Sequence, residues 1–184
     1  MVADPTRPNV FLSHGAAGSA ETMRPWVEAV HRRAPALVAA TVPAEGRLPM
    51  RVERALEVYA ATIAGSPGAV IGGVSYGGRV ASMLAAGGAE VGGLVLLSYP
   101  LHPPGKIDQQ RVEHLALIGC PVLFLSGESD PFARLELLRA AVRTLPRAEL
   151  FTYPGVGHGL SRNAAVMADA VDRVVEFSRR VLGL

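Results

Sequence analysis

The chain has 184 residues, of which 49% are hydrophobic and 18% charged, with a formal net charge of +2. These values exclude a disordered chain and predict a single domain over residues 1–184 with one sizeable core. The arginines are scattered, so we expect no binding to nucleic acid. No segment has the apolar length of a signal peptide or of a ~20-residue membrane span, so we expect no membrane binding. The single cysteine can form no internal disulfide, and together these features predict a cytoplasmic protein.

Short apolar runs alternate with longer amphipathic segments along the chain. The apolar runs predict six strands, at residues 9–13, 36–42, 69–74, 93–98, 122–126 and 149–153. Near-continuous apolar strands that alternate with helices are typical of an α/β fold, in which a parallel sheet is covered by helices on both faces. Right-handed crossovers then bring the carboxyl ends of all strands to one edge of the sheet, where ligands bind.

Apolar residues recur at helical spacing between the strands. Three such faces are formed by Leu56, Tyr59, Ala60 and Ile63, by Leu135, Leu138, Val142 and Leu145, and by Ala170, Val174, Phe177 and Val181. His31 and His114 also fall in helical stretches, and a further helix is predicted over residues 109–117. Cys120, just before the fifth strand, is expected to be a buried structural thiol. Residues 99–122 leave no room for a separate lid domain.

The third predicted strand leads directly into Gly73-Val74-Ser75-Tyr76-Gly77. This is the G-x-S-x-G pattern in a strand–turn–helix setting, which is typical of a nucleophilic serine. On so tight a turn, a side chain two places before or after the serine would collide with the neighbouring strand and helix, and glycine occupies both places. A glycine-rich turn without chemistry is the alternative interpretation.

Three further segments follow predicted strands. The glycine-rich His14-Gly15-Ala16-Ala17-Gly18 follows the first strand, Asp130 the fifth, and His158, between two glycines, the sixth. Each has a plain structural alternative. These are a simple turn, an N-cap for a helix beginning at Pro131, and a surface loop. Together, however, Ser75, Asp130 and His158 stand in the order Ser…Asp…His, each after a different strand. The fold would therefore bring them together as a nucleophile, an orienting acid and a base.

The remaining site residues are predicted from their places beside these segments. The backbone N–H of Tyr76 and one from Ala16 or Ala17 would hold the oxyanion. The residues expected to line the substrate site are His14, His102 and Phe132. His102 precedes Asp130 in the chain and so is not expected to be the base; a polar residue in a proline-stiffened loop is its alternative. Arg79 is expected to be a structural hydrogen-bond donor or ion-pair partner.

Other chemistries find no matching pattern. The only lysine, Lys106, is followed by Ile107 instead of the Ser or Thr of a phosphate-binding loop. Gly15 and Gly18 lack the third glycine of a dinucleotide fingerprint. No histidine–carboxylate cluster has metal-ligand spacing. We therefore expect neither a cofactor nor a metal.

Over nearly its whole length the chain resembles an α/β-hydrolase, beginning at what would be the third strand of the full eight-stranded fold. The segments His14–Gly18, Gly72–Arg79, Ser98–Lys106 and Ser126–Phe132 are similar to a small α/β-hydrolase-like family often grouped with the dienelactone hydrolases. Dienelactone hydrolases use a cysteine nucleophile where this chain has Ser75, so their activity is not carried over. Relatives in the narrower family are known as chromatin-complex subunits or testis-expressed proteins.

The resemblance implies a minimal α/β-hydrolase fold of about six parallel strands without a lid. The expected function is that of a serine hydrolase acting through an acyl-enzyme on a small ester, thioester or related carbonyl compound. The alternative is a non-catalytic interaction protein that retains the fold. A small acyl compound is the expected partner, and a covalent adduct on Ser75 would discriminate between the two functions.

Overall fold

The computed structural model describes residues 8–45 and 49–184, and its centre is a six-stranded sheet. Every neighbouring pair of strands is parallel, in the order β2-β1-β3-β4-β5-β6. The strands are β1 (Val10–Ser13), β2 (Ala39–Thr41), β3 (Val70–Val74), β4 (Gly93–Leu97), β5 (Val122–Gly127) and β6 (Ala148–Tyr153). The predicted parallel sheet is thereby confirmed.

Helices cover both faces of the sheet, as predicted. They are α1 (Ala20–Arg33), α2 (Val52–Ile63), α3 (Tyr76–Ala86), α4 (Leu135–Val142) and α5 (Ala164–Leu182), with short 3-10 turns at Glu113–Leu117 and Leu160–Arg162. Alternate strand residues point to opposite faces, so Val10 and Leu12 belong to the apolar cluster that includes residues of α1 and α5, whereas Phe11 belongs to the cluster that includes residues of α2, α3 and α4. The two apolar clusters make a three-layer core that fixes the position of every strand end.

Gly72, in β3, lets neighbouring groups approach the middle of the sheet closely. A Cβ on Gly72 would lie 1.9 Å from the carbonyl oxygen of Val95, so only glycine fits there. The buried hydroxyl of Tyr59, on α2, accepts the N–H of Gly72 at 2.8 Å and lies 2.6 Å from the Gly72 carbonyl and 2.9 Å from that of Phe11. Burial raises the pKa of Tyr59, so the hydroxyl remains a neutral donor between β1 and β3.

The structure corrects several predicted details. β2 is shorter than the predicted 36–42, because the Leu37 N–H closes a turn onto the Ala34 carbonyl at 2.8 Å. The predicted helix over 109–117 is only a 3-10 turn at Glu113–Leu117. On α2 the buried residues are Ala55, Val58 and Tyr59, whereas the predicted Ala60 is exposed. Cys120 is only partly buried.

The segment between β4 and β5 forms no lid. It consists of a proline loop and one 3-10 turn, so the predicted absence of a lid is confirmed. Among the helices of residues 8–45 and 49–184, none combines the length and the apolar character that crossing a membrane requires.

Candidate active site

Ser75 sits on a strained turn between β3 and α3. Its φ of 51° and ψ of −115° lie in a region that residues other than glycine rarely adopt. The Ser75 N–H still donates to the Leu97 carbonyl at 2.8 Å, which anchors the turn to β4. The side chain is therefore lifted off the carboxyl edge of the sheet while the backbone remains tied to it.

The two glycines around the serine are needed for steric reasons. A Cβ on Gly73 would lie 2.2 Å from the Ser13 carbonyl oxygen, and Gly73 has a φ of 155°. A Cβ on Gly77 would lie 2.6 Å from the carbonyl oxygens of both Ser13 and His14. Real Cβ atoms do not approach backbone oxygens this closely, so both glycines are required for the end of β1 to lie against the turn.

The structure brings the three predicted residues together in a continuous chain of hydrogen bonds. The Nε2 atom of His158 lies 2.8 Å from the Oγ of Ser75, and its Nδ1 lies 2.7 Å from the Oδ2 of Asp130. The Asp130 side chain is fully buried, whereas that of His158 is 26% exposed. A buried carboxylate beside Nδ1 favours the tautomer whose proton is on Nδ1, which leaves Nε2 free to accept the serine proton.

Asp130 also organises its own loop. Its Oδ1 accepts the N–H of Phe132 at 2.8 Å, and the Asp130 carbonyl accepts the N–H of Ala133 at 3.2 Å. These bonds close a turn, not a helix, because α4 begins only at Leu135. The predicted alternative role as the cap of the following helix is therefore wrong, and the carboxylate has one oxygen for the turn and one for His158.

The loops that carry Asp130 and His158 contact each other beside β5. The Ser129 N–H donates to the Val156 carbonyl at 2.9 Å. A Cβ on Gly127 would lie 2.1 Å from that same carbonyl oxygen and 2.4 Å from that of Gly157. Gly127 thus lets the histidine loop cross the end of β5. The sequence analysis assigned it no role, although its place at a strand end next to the acid loop is a usable signal.

The predicted oxyanion donors belong to two segments that adjoin Ser75. The Tyr76 N–H is the first of α3, and so it has no acceptor within its own helix. Ala16 and Ala17 are exposed on a turn closed by a 2.9 Å bond from the Gly18 N–H to the Gly15 carbonyl. A Cβ on Gly15 would lie 3.8 Å from that of Ser75, which places this turn against the serine.

The three predicted lining residues occupy different positions. Phe132 packs on the ring of His158, with centroids 4.3 Å apart. His14 is buried, and its Nδ1 donates to the Gly15 carbonyl at 2.8 Å, behind the oxyanion turn. His102 is also buried; its Nδ1 donates to the Pro103 carbonyl at 2.9 Å and its Nε2 accepts the Arg134 N–H at 3.1 Å. Both histidines hold loops in place, and both ring nitrogens of His102 are occupied.

Two cavities flank the sheet. One of about 570 Å³ lies beside the acid loop and is lined by residues that include His102, Asp130 and Arg134. A larger one of about 760 Å³ opens at the amino edge, next to Cys120 and Pro121, far along the strands from Ser75. Neither of these two cavities is lined by Ser75 or His158, and both residues are partly exposed. In the described part of the chain no cluster of His, Cys, Asp or Glu could hold a metal ion.

Comparisons with known proteins agree with this fold. The model of a family described as alpha/beta hydrolase domain matches residues 6–181, and the chain therefore belongs to that family. Similar solved structures include the monoacylglycerol lipase of Paleococcus ferrophilus, 14% identical with a TM-score of 0.78, covering 95% of this chain and 96% of the lipase. A predicted CIB-like hydrolase from Thermoplasma acidophilum is 19% identical with a TM-score of 0.72, covering 98% of this chain and 90% of that one.

A thermophilic esterase from Thermogutta terrifontis, solved with malate bound, is 17% identical with a TM-score of 0.67, over 96% of this chain and 91% of the esterase. At such identities the likeness concerns the fold alone. The predicted resemblance to the α/β-hydrolases is confirmed, whereas the resemblance to the narrower family stays a prediction.

Proposed function

We propose that the protein is a serine hydrolase that cleaves a small ester, thioester or related carbonyl compound through an acyl-enzyme. The observation that carries this proposal is the unbroken chain of hydrogen bonds from Ser75 through His158 to a fully buried Asp130. A serine at a strained turn, with a base at 2.8 Å and a carboxylate behind that base, is the arrangement that activates a hydroxyl at neutral pH.

In the first half-reaction the Oγ of Ser75 attacks the carbonyl carbon while its proton passes to Nε2 of His158. The N–H groups of Tyr76 and of Ala16 or Ala17 stabilise the negative oxygen of the tetrahedral intermediate. The bond from carbon to the leaving oxygen or sulfur then breaks, and that atom takes the proton from His158. Asp130 stabilises the transient imidazolium and stays ionised.

In the second half-reaction water replaces the leaving group. His158 removes a proton from water as the water oxygen attacks the acyl carbon, and the bond to Ser75 breaks as the serine oxygen recovers that proton. The products are the carboxylic acid and the free enzyme. Every proton moves between Ser75, His158, substrate and water, and no atom changes its oxidation state, so the proposed cycle requires no redox cofactor.

The open edge around Ser75 bears on substrate size. Each buried methylene contributes about 0.8 kcal/mol only where an apolar wall excludes water from it. The residues between β4 and β5 build no lid, and neither cavity is lined by the serine. We therefore expect short acyl esters to be preferred, without activation at a lipid–water interface.

The test is a series of 4-nitrophenyl esters from acetate to decanoate. We expect kcat/KM to level off by about butyrate and to fall to background in the Ser75→Ala variant. Steady growth of kcat/KM toward decanoate, or a jump above the micelle threshold, would contradict the open site. Equal rates for wild type and Ser75→Ala would contradict the hydrolase itself and favour the non-catalytic interaction protein.

A further inference from the structure

The guanidinium of Arg79, on the helix that begins beside the proposed nucleophile, has no hydrogen-bond partner among the described residues. Arg79 is on α3, one turn after Ser75, and the backbone N–H of Arg79 donates to the Ser75 carbonyl at 3.0 Å. Helical side chains lean toward the amino end of their helix, so Arg79 covers the turn on which Ser75 sits. The side chain is partly buried, and its Nε is enclosed by protein without an acceptor.

The charge of Arg79 acts on three neighbouring titratable side chains, namely His114, Tyr76 and Tyr99. Burial, followed by the charge of Arg79, lowers the pKa of His114. The same charge opposes the rise that burial causes in the pKa values of Tyr76 and Tyr99, the latter to about 12. Arg79 is therefore close enough to all three side chains to act on their ionisation.

The hydroxyl groups near Arg79 form hydrogen bonds with other groups. The Tyr99 hydroxyl donates to the Arg111 carbonyl at 3.1 Å. The Ser82 hydroxyl donates to the Arg79 carbonyl at 2.7 Å and lies 2.8 Å from Nε2 of His114. These bonds use the hydroxyl hydrogens, and neither hydroxyl oxygen forms a hydrogen bond with the Arg79 side chain.

No carboxylate of the described residues pairs with Arg79. Glu53 and Glu113 act on the pKa values of the neighbouring aromatic side chains, but both are exposed and neither forms an ion pair with it. By contrast, Arg54 and Arg173 pair with carboxylates on the surface. The sequence analysis expected a structural hydrogen-bond donor or an ion pair, and the structure gives the Arg79 side chain neither.

An enclosed donor without an acceptor costs free energy, and such groups are rare in folded proteins. Only Nε of the Arg79 side chain is enclosed and unpaired, so a ligand would be bound through the terminal nitrogens of the guanidinium. A guanidinium is planar, always charged and able to bind a carboxylate through two parallel hydrogen bonds. A single guanidinium balances one negative charge, which matches one carboxylate better than a phosphate dianion. Because Arg79 is one turn after Ser75 on α3, a molecule that reacts at Ser75 is the natural source of such a carboxylate.

We propose that Arg79 binds a carboxylate carried by the substrate, so that the site prefers esters with one free carboxylate over neutral esters of the same length. This inference rests on the proposed hydrolase function and narrows its substrate class. The carboxylate can be on the acyl side, as in a hemi-ester of a dicarboxylic acid, or on the leaving alcohol.

Two matched pairs of esters test whether the carboxylate is bound on the acyl group or on the leaving alcohol. Monoethyl glutarate is compared with ethyl pentanoate by release of ethanol, and 4-acetoxybenzoate with phenyl acetate by release of acetate. The readout is the ratio of kcat/KM for the charged ester to that for its neutral partner. We expect Arg79→Gln to lower this ratio about tenfold to hundredfold in at least one pair, as the loss of a charge-assisted hydrogen bond implies.

Two control variants separate recognition from general damage. Arg79→Lys keeps the charge but not the two parallel donors of the guanidinium, and it should retain part of the preference for esters with a free carboxylate. Arg143→Gln removes one charge from an exposed position at the end of α4 and should leave both ratios unchanged. If Arg79→Gln lowers the rates of charged and neutral esters equally, Arg79 is merely structural and the proposal is overturned.

A binding measurement keeps the two proposals separable. Monoethyl glutarate is titrated calorimetrically into the Ser75→Ala protein and into the Ser75→Ala, Arg79→Gln protein, with ethyl pentanoate as the neutral control. We expect the hemi-ester to bind only when Arg79 is present. If the wild type cleaves no ester, the hydrolase function fails, while this titration still decides the carboxylate site. If the wild type cleaves esters and Arg79→Gln changes neither ratio nor affinity, only the carboxylate site fails.

Discussion

The Nε2 atom of His158 and the Oγ atom of Ser75 lie 2.8 Å apart, although 83 positions separate the two residues in the chain. The contact arises because Ser75 follows β3 and the His158 loop follows β6, and parallel strands bring their carboxyl ends to one edge. Gly127 and the Ser129–Val156 hydrogen bond then guide the histidine loop back across β5. The geometry of the proposed site is thus a consequence of sheet topology together with a few backbone contacts.

Asp130→Asn tests the acid of the proposed triad. The amide oxygen of the substituted side chain can still accept the Phe132 N–H, so the turn should survive and the free energy of unfolding should change by less than about 1 kcal/mol. The amide nitrogen, however, opposes the Nδ1 proton of His158 and cannot stabilise an imidazolium. We expect kcat to fall about 10⁴-fold, as in other triads. Near-normal turnover in a folded Asp130→Asn protein would remove Asp130 from the mechanism.

Gly77→Ala tests whether close packing of β1 against the serine turn is required. The new Cβ would meet two carbonyl oxygens at 2.6 Å, so we expect a loss of about 1–3 kcal/mol of unfolding free energy together with a fall in kcat/KM. Alanine favours helices over glycine by about 1 kcal/mol, so the loss would occur despite better propensity. Gly119→Ala is the matched control, because nothing lies within 4 Å of its added Cβ. Equal stability of the two variants would show that the serine turn accommodates a Cβ at position 77 without strain.

His114 gives a pH-dependent prediction. Burial, with the charge of Arg79, lowers its folded-state pKa below 6.5, so between these two values the unfolded chain binds the proton more readily. His114 therefore costs no stability above about pH 7 and destabilises the fold progressively as the pH falls below 6.5. His114→Gln keeps a donor for Ser82 and should lose less Tm than the wild type between pH 8 and pH 5. Parallel Tm curves for the two proteins would contradict this assignment.

The parts of the fold that the sequence predicts well are those set by local pattern. Apolar strands, their order of alternation with helices, and the glycines around Ser75 are all visible in the residues themselves. The proximity of Ser75, Asp130 and His158 follows from topology once the strands are placed. Their roles in catalysis stay predictions.

Other features depend on tertiary contacts that no local pattern carries. Residues 109–117 have helical spacing, but the Arg111 N–H is held by the Leu101 carbonyl at 2.8 Å, and only a 3-10 turn forms after it. On α2 the contact with the sheet is centred on Val58 and Tyr59, which turns Ala60 outward. That no described residue pairs with the Arg79 guanidinium is equally invisible in the sequence, because it depends on which groups the tertiary fold places around that side chain.

The most direct test of the central claim is the mass of the intact protein after reaction with a fluorophosphonate probe. Only a serine with an adjacent base is nucleophilic at neutral pH, so we predict one adduct, located on Ser75 by peptide mapping. Ser129→Ala removes an exposed serine beside Asp130 and should label as fully as the wild type, whereas Ser75→Ala should not label. Equal labelling of wild type and Ser75→Ala, or no adduct on the folded wild type, would contradict a serine hydrolase built on Ser75, His158 and Asp130.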